Sequence, residues 1–317
     1  MKYIGMNGAV IPTAEAVISV MDHGFMYGMG LFETFRTYGG KPFLLHRHLE
    51  RLKESCRQVG IPYQGDADGI MAEIAELLAR NELSDGYFRL TVSAGEGPLG
   101  LITEDYAEPT VVLYVKPLPP LNEALYTKGK TLWRLRTPRN TPESEIRLKS
   151  LHYMNNVLAR RELAAYERQE SAAGAGAYDH SASVAVEAGA GTCAALPAEG
   201  LLLTANGDVA EGITSNLFFV NHGKLYTPEI GTGILPGITR SLVMELARRC
   251  GLKAEEGRYP WDKLEEAEEI FLTNSIQELM PVTLLARPDG KRIAVGGGEI
   301  GPVTGRLLDL YRKEVRR

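Results

Sequence analysis

Three prolines within four residues, Pro117, Pro119 and Pro120, cut the chain into two stretches that each alternate strand-like and helix-like patterns. Proline fixes φ and removes a backbone donor, so neither a helix interior nor a central strand runs through that break. The chain is therefore read as an N-terminal unit at 1–118, a linker at 119–124 and a larger C-terminal unit at 125–317. Its length suits about two domains. Strands and helices interleave in both units, which makes the fold class α/β, with layered α+β character in each.

In the first unit, YIGMNGAVI, AVISV and LFETFRTYGGKPFLL read as strands, the last a hairpin turning at Gly39 and Gly40. Apolar spacing predicts helices over 48–59 and 68–81, and YFRLTVSA and PTVVLYVKPL as further strands. In the second, KTLWRLRT is a strand and 151–168 a helix, with Leu151, Met154, Val157 and Leu158 expected to face the core. EGLLLTANGDVAEG and SNLFFVNHGKLYTP follow as strand pairs turning at Asn206-Gly207 and His222-Gly223, then a helix over 239–250 and the strand EEIFLTNS. Between Ser171 and Ala195, 14 of 25 residues are Ala or Gly and none is Lys or Arg, which predicts a loosely ordered insertion.

With 35 Lys plus Arg against 40 Asp plus Glu, the net charge of -5 gives no reason to expect nucleic acid or an anionic membrane as partner. The first twenty residues break their apolar runs with Asn7, Gly8, Pro12 and Glu15, unlike a secretory leader, and no run reaches membrane-spanning length. Cys56, Cys193 and Cys250 are scattered, which suits reduced thiols in the cytoplasm rather than disulfides or a metal site.

Three segments carry chemistry. RLKSLHYMNNVLARRE sets Lys149 at a helix entrance, where loss of solvation would free its amine as nucleophile and base; an ordinary surface lysine is the alternative. GILPGITRSLVMELARRC puts Gly237, Ile238 and Thr239 at the start of an amphipathic helix, which is either an anion site or simple helix punctuation. Arg51 in HLERL is a second candidate phosphate ligand, or a surface arginine. EGITSNLFF offers Glu211 between two strands, where a carboxylate could pair with a heterocyclic nitrogen or merely be solvated. Amine, anion cradle and carboxylate are the three things that pyridoxal 5'-phosphate (PLP) requires of a protein.

With DHGFMYGMGLFETFR, HLERL, KSLHYMNNVLARRE, AEGITSNLFFV, GILPGITR and FLTNSIQELMPV in this order, the chain resembles the class IV, or branched-chain aminotransferase-like, PLP enzymes of fold type IV. The resemblance implies a two-domain fold with a small N-terminal α/β domain and a larger α/β pseudo-barrel. It makes Lys149 the Schiff-base lysine and catalytic proton carrier, and Glu211 the partner of the pyridine nitrogen. Arg51, Ile238, Thr239 and Thr273, Asn274 and Ser275 would hold the phosphate, and Tyr153 would stand near the phenolic oxygen unless it is a core aromatic. A homodimer is implied too. The Ala/Gly-rich run departs from the family, leaving its motifs intact.

Three activities share this scaffold: branched-chain transamination, D-amino acid transamination, and the lyase step that turns 4-amino-4-deoxychorismate into 4-aminobenzoate and pyruvate. DHGFMYGMGLFETFR, YFRLTVSAGEGPLGL and TNSIQELMPV are most similar to the lyases. For a small carboxylate substrate, Arg89 is the candidate partner, provided its strand face looks into the cleft, and Thr34 is a candidate for assisting the leaving group. A PLP carrier without turnover is disfavoured, since storage needs no electron sink.

Overall fold

The computed structural model describes residues 1–119, 122–176 and 197–317. In chain order the first unit runs β1 (Tyr3–Met6), β2 (Ala9–Pro12), α1 (His23–Tyr27), β3 (Gly30–Tyr38), β4 (Lys41–Pro42), α2 (Leu45–Gln58), α3 (Ala67–Arg80), β5 (Gly86–Ser93) and β6 (Thr110–Pro117). The second runs α4 (Glu123–Lys128), β7 (Lys130–Arg134), α5 (Met154–Gly176), β8 (Ala198–Leu203), β9 (Val209–Gly212), β10 (Asn216–Asn221), β11 (Lys224–Pro228), α6 (Ile238–Arg249), β12 (Ala254–Gly257), α7 (Asp262–Glu265), β13 (Glu269–Asn274), β14 (Glu278–Ala286), β15 (Arg292–Ala294) and α8 (Pro302–Val315).

The small sheet has the order β2-β1-β6-β5-β3-β4. Strict alternation gives it two different faces. Phe35, Phe88, Leu90 and Leu113 turn toward α2 and α3, where they bury Leu49, Leu52, Ile74 and Leu77. The other face carries Thr34, Tyr87 and Arg89, with Thr34 opposite Arg89 across the β3–β5 pair, and it looks at the second unit.

The large sheet has the path β12-β11-β10-β13-β14-β7-β8-β9. It curls until its ends meet, the Val209 amide donating to the Tyr259 carbonyl at 2.7 Å and Asp208 bridging Pro260. This is the pseudo-barrel expected of fold type IV. One side packs on α6 and α8 through Phe218, Phe271, Leu246, Leu307 and Tyr311. His222, at φ 48°, and Gly223, at φ 69°, form the two-residue turn expected between β10 and β11.

Three expectations are corrected. AVISV, read as a strand, forms none and lies in the connection between β2 and α1. The helix after Lys149 begins at Met154 rather than Leu151, and Met154, Val157 and Leu158 are exposed. Its buried stripe is Asn156, Ala159, Leu163 and Tyr166, spaced three and four apart, with the apolar members packed on Trp133 and Leu202. Of the Ala/Gly-rich stretch 171–195, residues 171–176 prolong α5; the remainder, like Pro120 and Leu121 of the linker, lies outside the described residues.

Candidate active site

A cavity of about 720 Å³ opens between the second face of the small sheet and the mouth of the pseudo-barrel. The segment around Lys149 is pinned as an extra edge beside β3: the Phe32 amide donates to the Lys149 carbonyl, and the Leu151 amide to the Gly30 carbonyl, each at 2.9 Å. Its side chain lines the cavity, with Nζ 4.6 Å from the centre of the Phe32 ring. Burial, reinforced by the Arg51 charge, brings the Lys149 ammonium down to about 8, against the pull of Glu33 and Glu211. Far more of this lysine is therefore free amine near neutral pH than of a solvated one.

Glu211, at the end of β9, lines the same cavity and is 4 % exposed. Arg139 donates to its Oε1 through Nε at 2.8 Å, with Nη2 in ion-pair contact with the same oxygen at 2.8 Å. Its Oε2 accepts from Asn216 Nδ2 at 3.2 Å and the Leu235 amide at 3.0 Å. Burial raises this carboxyl's proton affinity, while Arg139, the Leu235 amide and Arg147 hold it back. A carboxyl balanced in this way can share a proton with a basic heterocycle.

The anion cradle stands at the N-terminus of α6. Among the described residues no side chain caps this helix, which leaves its first amides open to an anion. Gly237 is required there, because a Cβ would meet Asn216 Oδ1 at 1.9 Å. Asn216 thereby ties the cradle to Glu211. Arg51 reaches across from α2, Nη1 donating to the Pro236 carbonyl at 2.7 Å, while Nε and Nη2 clasp Glu33 bidentately at 2.7 Å. Glu33 also accepts from His48 Nδ1 at 2.7 Å, and its carboxyl falls to about 2 as Arg51 and His48 outweigh burial, the largest single influence. From His48 the line continues to Ser275 Oγ at 3.4 Å and on to Thr239 Oγ1 at 3.5 Å. One buried carboxylate thus orients an arginine and, through a histidine, two hydroxyls.

The 274–277 turn joins β13 to β14. Asn274 Oδ1 accepts from the Ile276 and Gln277 amides at 2.9 and 2.8 Å, so that oxygen is used within the turn. Thr273 Oγ1 and Ser215 Oγ are buried beside the cavity with no hydrogen-bond partner among the described residues.

On the small-sheet wall, Arg89 stands 3.6 Å over the Phe32 ring and Nε donates to Thr91 Oγ1 at 3.2 Å. Its strand face does look into the cleft, beside Thr34. Tyr153 sits just before α5 with its ring edge-on to Phe32 at 5.6 Å, and burial raises its hydroxyl's pKa.

A free amine, a buried carboxyl, an uncapped helix start with an arginine aimed at it, and two orphaned hydroxyls fit a phosphorylated pyridine aldehyde. All candidates named from sequence line this cavity: Lys149, Glu211, Arg51, Tyr153, Ile238, Thr239, Thr273, Asn274, Ser275, Arg89 and Thr34. Sequence reasoning misses Arg139, Glu33 and His48. The last two lie inside FETFR and HLERL, which flagged the segments but not these residues. Cys56 is buried, its thiol pushed up to about 12, and among the described residues no cluster could hold a metal.

The family "Amino-transferase class IV" matches residues 30–172 and 178–285. Aminodeoxychorismate lyase of Bacillus subtilis is 37% identical over 315 residues, covering 99% of this chain and 94% of that protein. A crystal structure of 4-amino-4-deoxychorismate lyase from Pseudomonas aeruginosa aligns with TM-score 0.77 at 31% identity, over 98% of each chain. The branched-chain amino acid aminotransferase of T.th., complexed with N-(5'-phosphopyridoxyl)-L-glutamate, also aligns with TM-score 0.77, at 27% identity over 99% of this chain and 95% of that one.

Proposed function

This chain belongs to the class IV amino-transferase family, and from that premise we propose that it converts 4-amino-4-deoxychorismate to 4-aminobenzoate and pyruvate. Its cofactor is PLP. When bound, PLP supplies an electron sink for a carbanion at the carbon bearing the substrate amine.

The protein's residues have separable tasks. Lys149 would hold the cofactor covalently, and its free amine is the base that takes the proton from C4 of the substrate. Glu211 would face the pyridine nitrogen and share its proton, with Arg139 and Asn216 fixing the carboxyl. Arg51, the Ile238 and Thr239 amides, and the hydroxyls of Thr239, Thr273 and Ser275 would hold the phosphate, with Asn274 shaping the turn. Tyr153 would stand at the phenolic side. Arg89, stripped of much of its water, would grip a substrate carboxylate, and its cross-strand neighbour Thr34 would protonate the departing enolpyruvyl oxygen. Aromatisation of the ring drives the reaction.

What carries this choice is the 37% identity to the Bacillus subtilis lyase over nearly the whole chain, above the 31% and 27% of two branched-chain aminotransferases that it also matches. The aminotransferase reading uses the same lysine and is the rival to exclude. Holoenzyme given aminodeoxychorismate should release 4-aminobenzoate and pyruvate; rapid amino transfer from D-alanine or L-leucine to 2-oxoglutarate, with no 4-aminobenzoate, would refute the lyase assignment.

We further propose a homodimer. Val17, Val20, Phe25, Leu99, Leu101, Met154 and Val157 are large apolar side chains left exposed, as at a surface that a second copy covers. No helix among the described residues is long and apolar enough to cross a membrane. Cytoplasmic residence is part of the same proposal, supported by the scattered thiols.

A further inference from the structure

At the mouth of the pseudo-barrel, one buried cation is left without a task. Lys130 opens β7 where Gly129 turns the chain at φ 71°. That glycine is forced, since a Cβ there would meet the Pro281 carbonyl oxygen at 2.8 Å and Thr283 Cγ2 at 2.7 Å. The turn sends Lys130 inward: it is 6 % exposed and lines the cavity that also holds Lys149 and Glu211.

Its hydrogen bonding is incomplete. Nζ donates to Gln277 Oε1 at 2.9 Å, and among the described residues it forms no ion pair within 4.0 Å. An ammonium carries three donors and no acceptor, so two hydrogens remain for the cavity. Because the lysine takes the oxygen of Gln277, the amide Nε2 of that side chain is left to act as a further donor. Glu199 and Arg160 border the same part of the cavity and act on Lys130 in opposite directions, Glu199 favouring its charge and Arg160 opposing it. Burial weakens that charge and also raises the Glu199 carboxyl's pKa, against the pull of Lys130 and of the Gly200 and Ile213 amides that donate to its Oε1, so this acid acts on Lys130 without bonding to it. A buried ammonium with spare donors lacks only an anion.

We infer that Lys130, with the Gln277 amide, forms a second carboxylate subsite on the barrel wall, across the cavity from Arg89 on the small-sheet wall. The ligand class is a dicarboxylate, one carboxylate for each wall. The inference deepens the lyase reading and rests on it for the substrate's identity, because aminodeoxychorismate carries two carboxylates, on its ring and on its enolpyruvyl arm. Lys130 then selects such substrates against those with one carboxylate and an apolar side chain.

The test compares isophthalate with benzoate as ligands of the holoenzyme, titrated through the cofactor's absorbance, in wild type and in Lys130→Met and Gln277→Leu. Wild type should bind the dicarboxylate more tightly. Lys130→Met should weaken isophthalate by about ten- to a hundredfold, the range for a hydrogen bond to a charged group, and leave benzoate unchanged. Gln277→Leu should give a smaller loss of the same kind. Equal binding of both ligands by wild type, or an isophthalate preference surviving in Lys130→Met with its cofactor spectrum intact, overturns the subsite. Turnover keeps the two claims apart. If 4-aminobenzoate forms with an unchanged KM in Lys130→Met, the lyase stands and the subsite falls. If no 4-aminobenzoate forms but Lys130→Met selectively loses 2-oxoglutarate over a monocarboxylic 2-oxo acid, the subsite stands and the lyase falls.

Discussion

Replacing Glu33 by Gln should both destabilise the fold and loosen the cofactor. The side chain is 1 % exposed and receives two hydrogen bonds from Arg51 and one from His48. Its carboxyl lies near 2 instead of 4.5, a difference worth about 3 kcal/mol of folding stability at neutral pH. Breaking one side of a buried ion pair costs about 3–5 kcal/mol, so two routes give the same order. Because the folded carboxyl is the stronger acid, this contribution is present above the unfolded value near 4.5 and disappears as pH falls through about 2. Urea unfolding at pH 7 should put Glu33→Gln about 3 kcal/mol below wild type, with the gap narrowing as the solution is acidified. In the same variant Arg51 loses its bidentate hold, so dialysis should remove the cofactor much faster. Stability within about 0.5 kcal/mol of wild type, together with unchanged cofactor retention, would refute the assignment of Glu33 as the anchor of the cradle.

Glu211→Gln should keep the cofactor bound but lower kcat by about a hundredfold or more, since an amide cannot hold a protonated pyridine; wild-type kcat would contradict this. Capture of added PLP by apoenzyme should accelerate as pH rises through about 8, where the Lys149 amine becomes free; a midpoint above 10 would show an ordinary solvated lysine. Glu73, in α3 under β1, has its carboxyl raised to about 7 by burial, so stability falls as pH climbs from about 4.5 through 7. Glu73→Gln should remove that loss, adding about 1–2 kcal/mol at pH 8 after discounting for screening, as read by urea unfolding; no gain there would contradict the burial argument.

The fold is legible wherever pattern and packing agree. In β5 the alternation of Phe88 and Leu90 with Arg89 sorts core from cleft, and α2, α3 and α6 lie within three residues of their expected bounds. The face of α5 is not, because Met154, Val157 and Leu158 look like core residues and instead stay exposed. The C-terminal helix α8, whose Leu307, Leu308 and Tyr311 are buried, goes unread for want of a motif. Within the site, Lys149, Glu211 and the α6 start can be found because each belongs to a short segment with its own chemistry. Arg139 cannot: it meets Glu211 from 72 positions away, brought there because the chain after β7 runs beside β8, whose other neighbour is β9. His48 is likewise masked, since a histidine on the buried face of a helix resembles core packing until Glu33 and Ser275 are seen on either side of it.

Which amine bonds to the cofactor decides the chemistry of the whole site. Borohydride reduction of the holoenzyme, followed by peptide mass spectrometry, should find the phosphopyridoxyl group on Lys149, and Lys149→Ala should carry none and show no turnover. Label on Lys130 or any other lysine, or turnover surviving in Lys149→Ala, would contradict the role of Lys149.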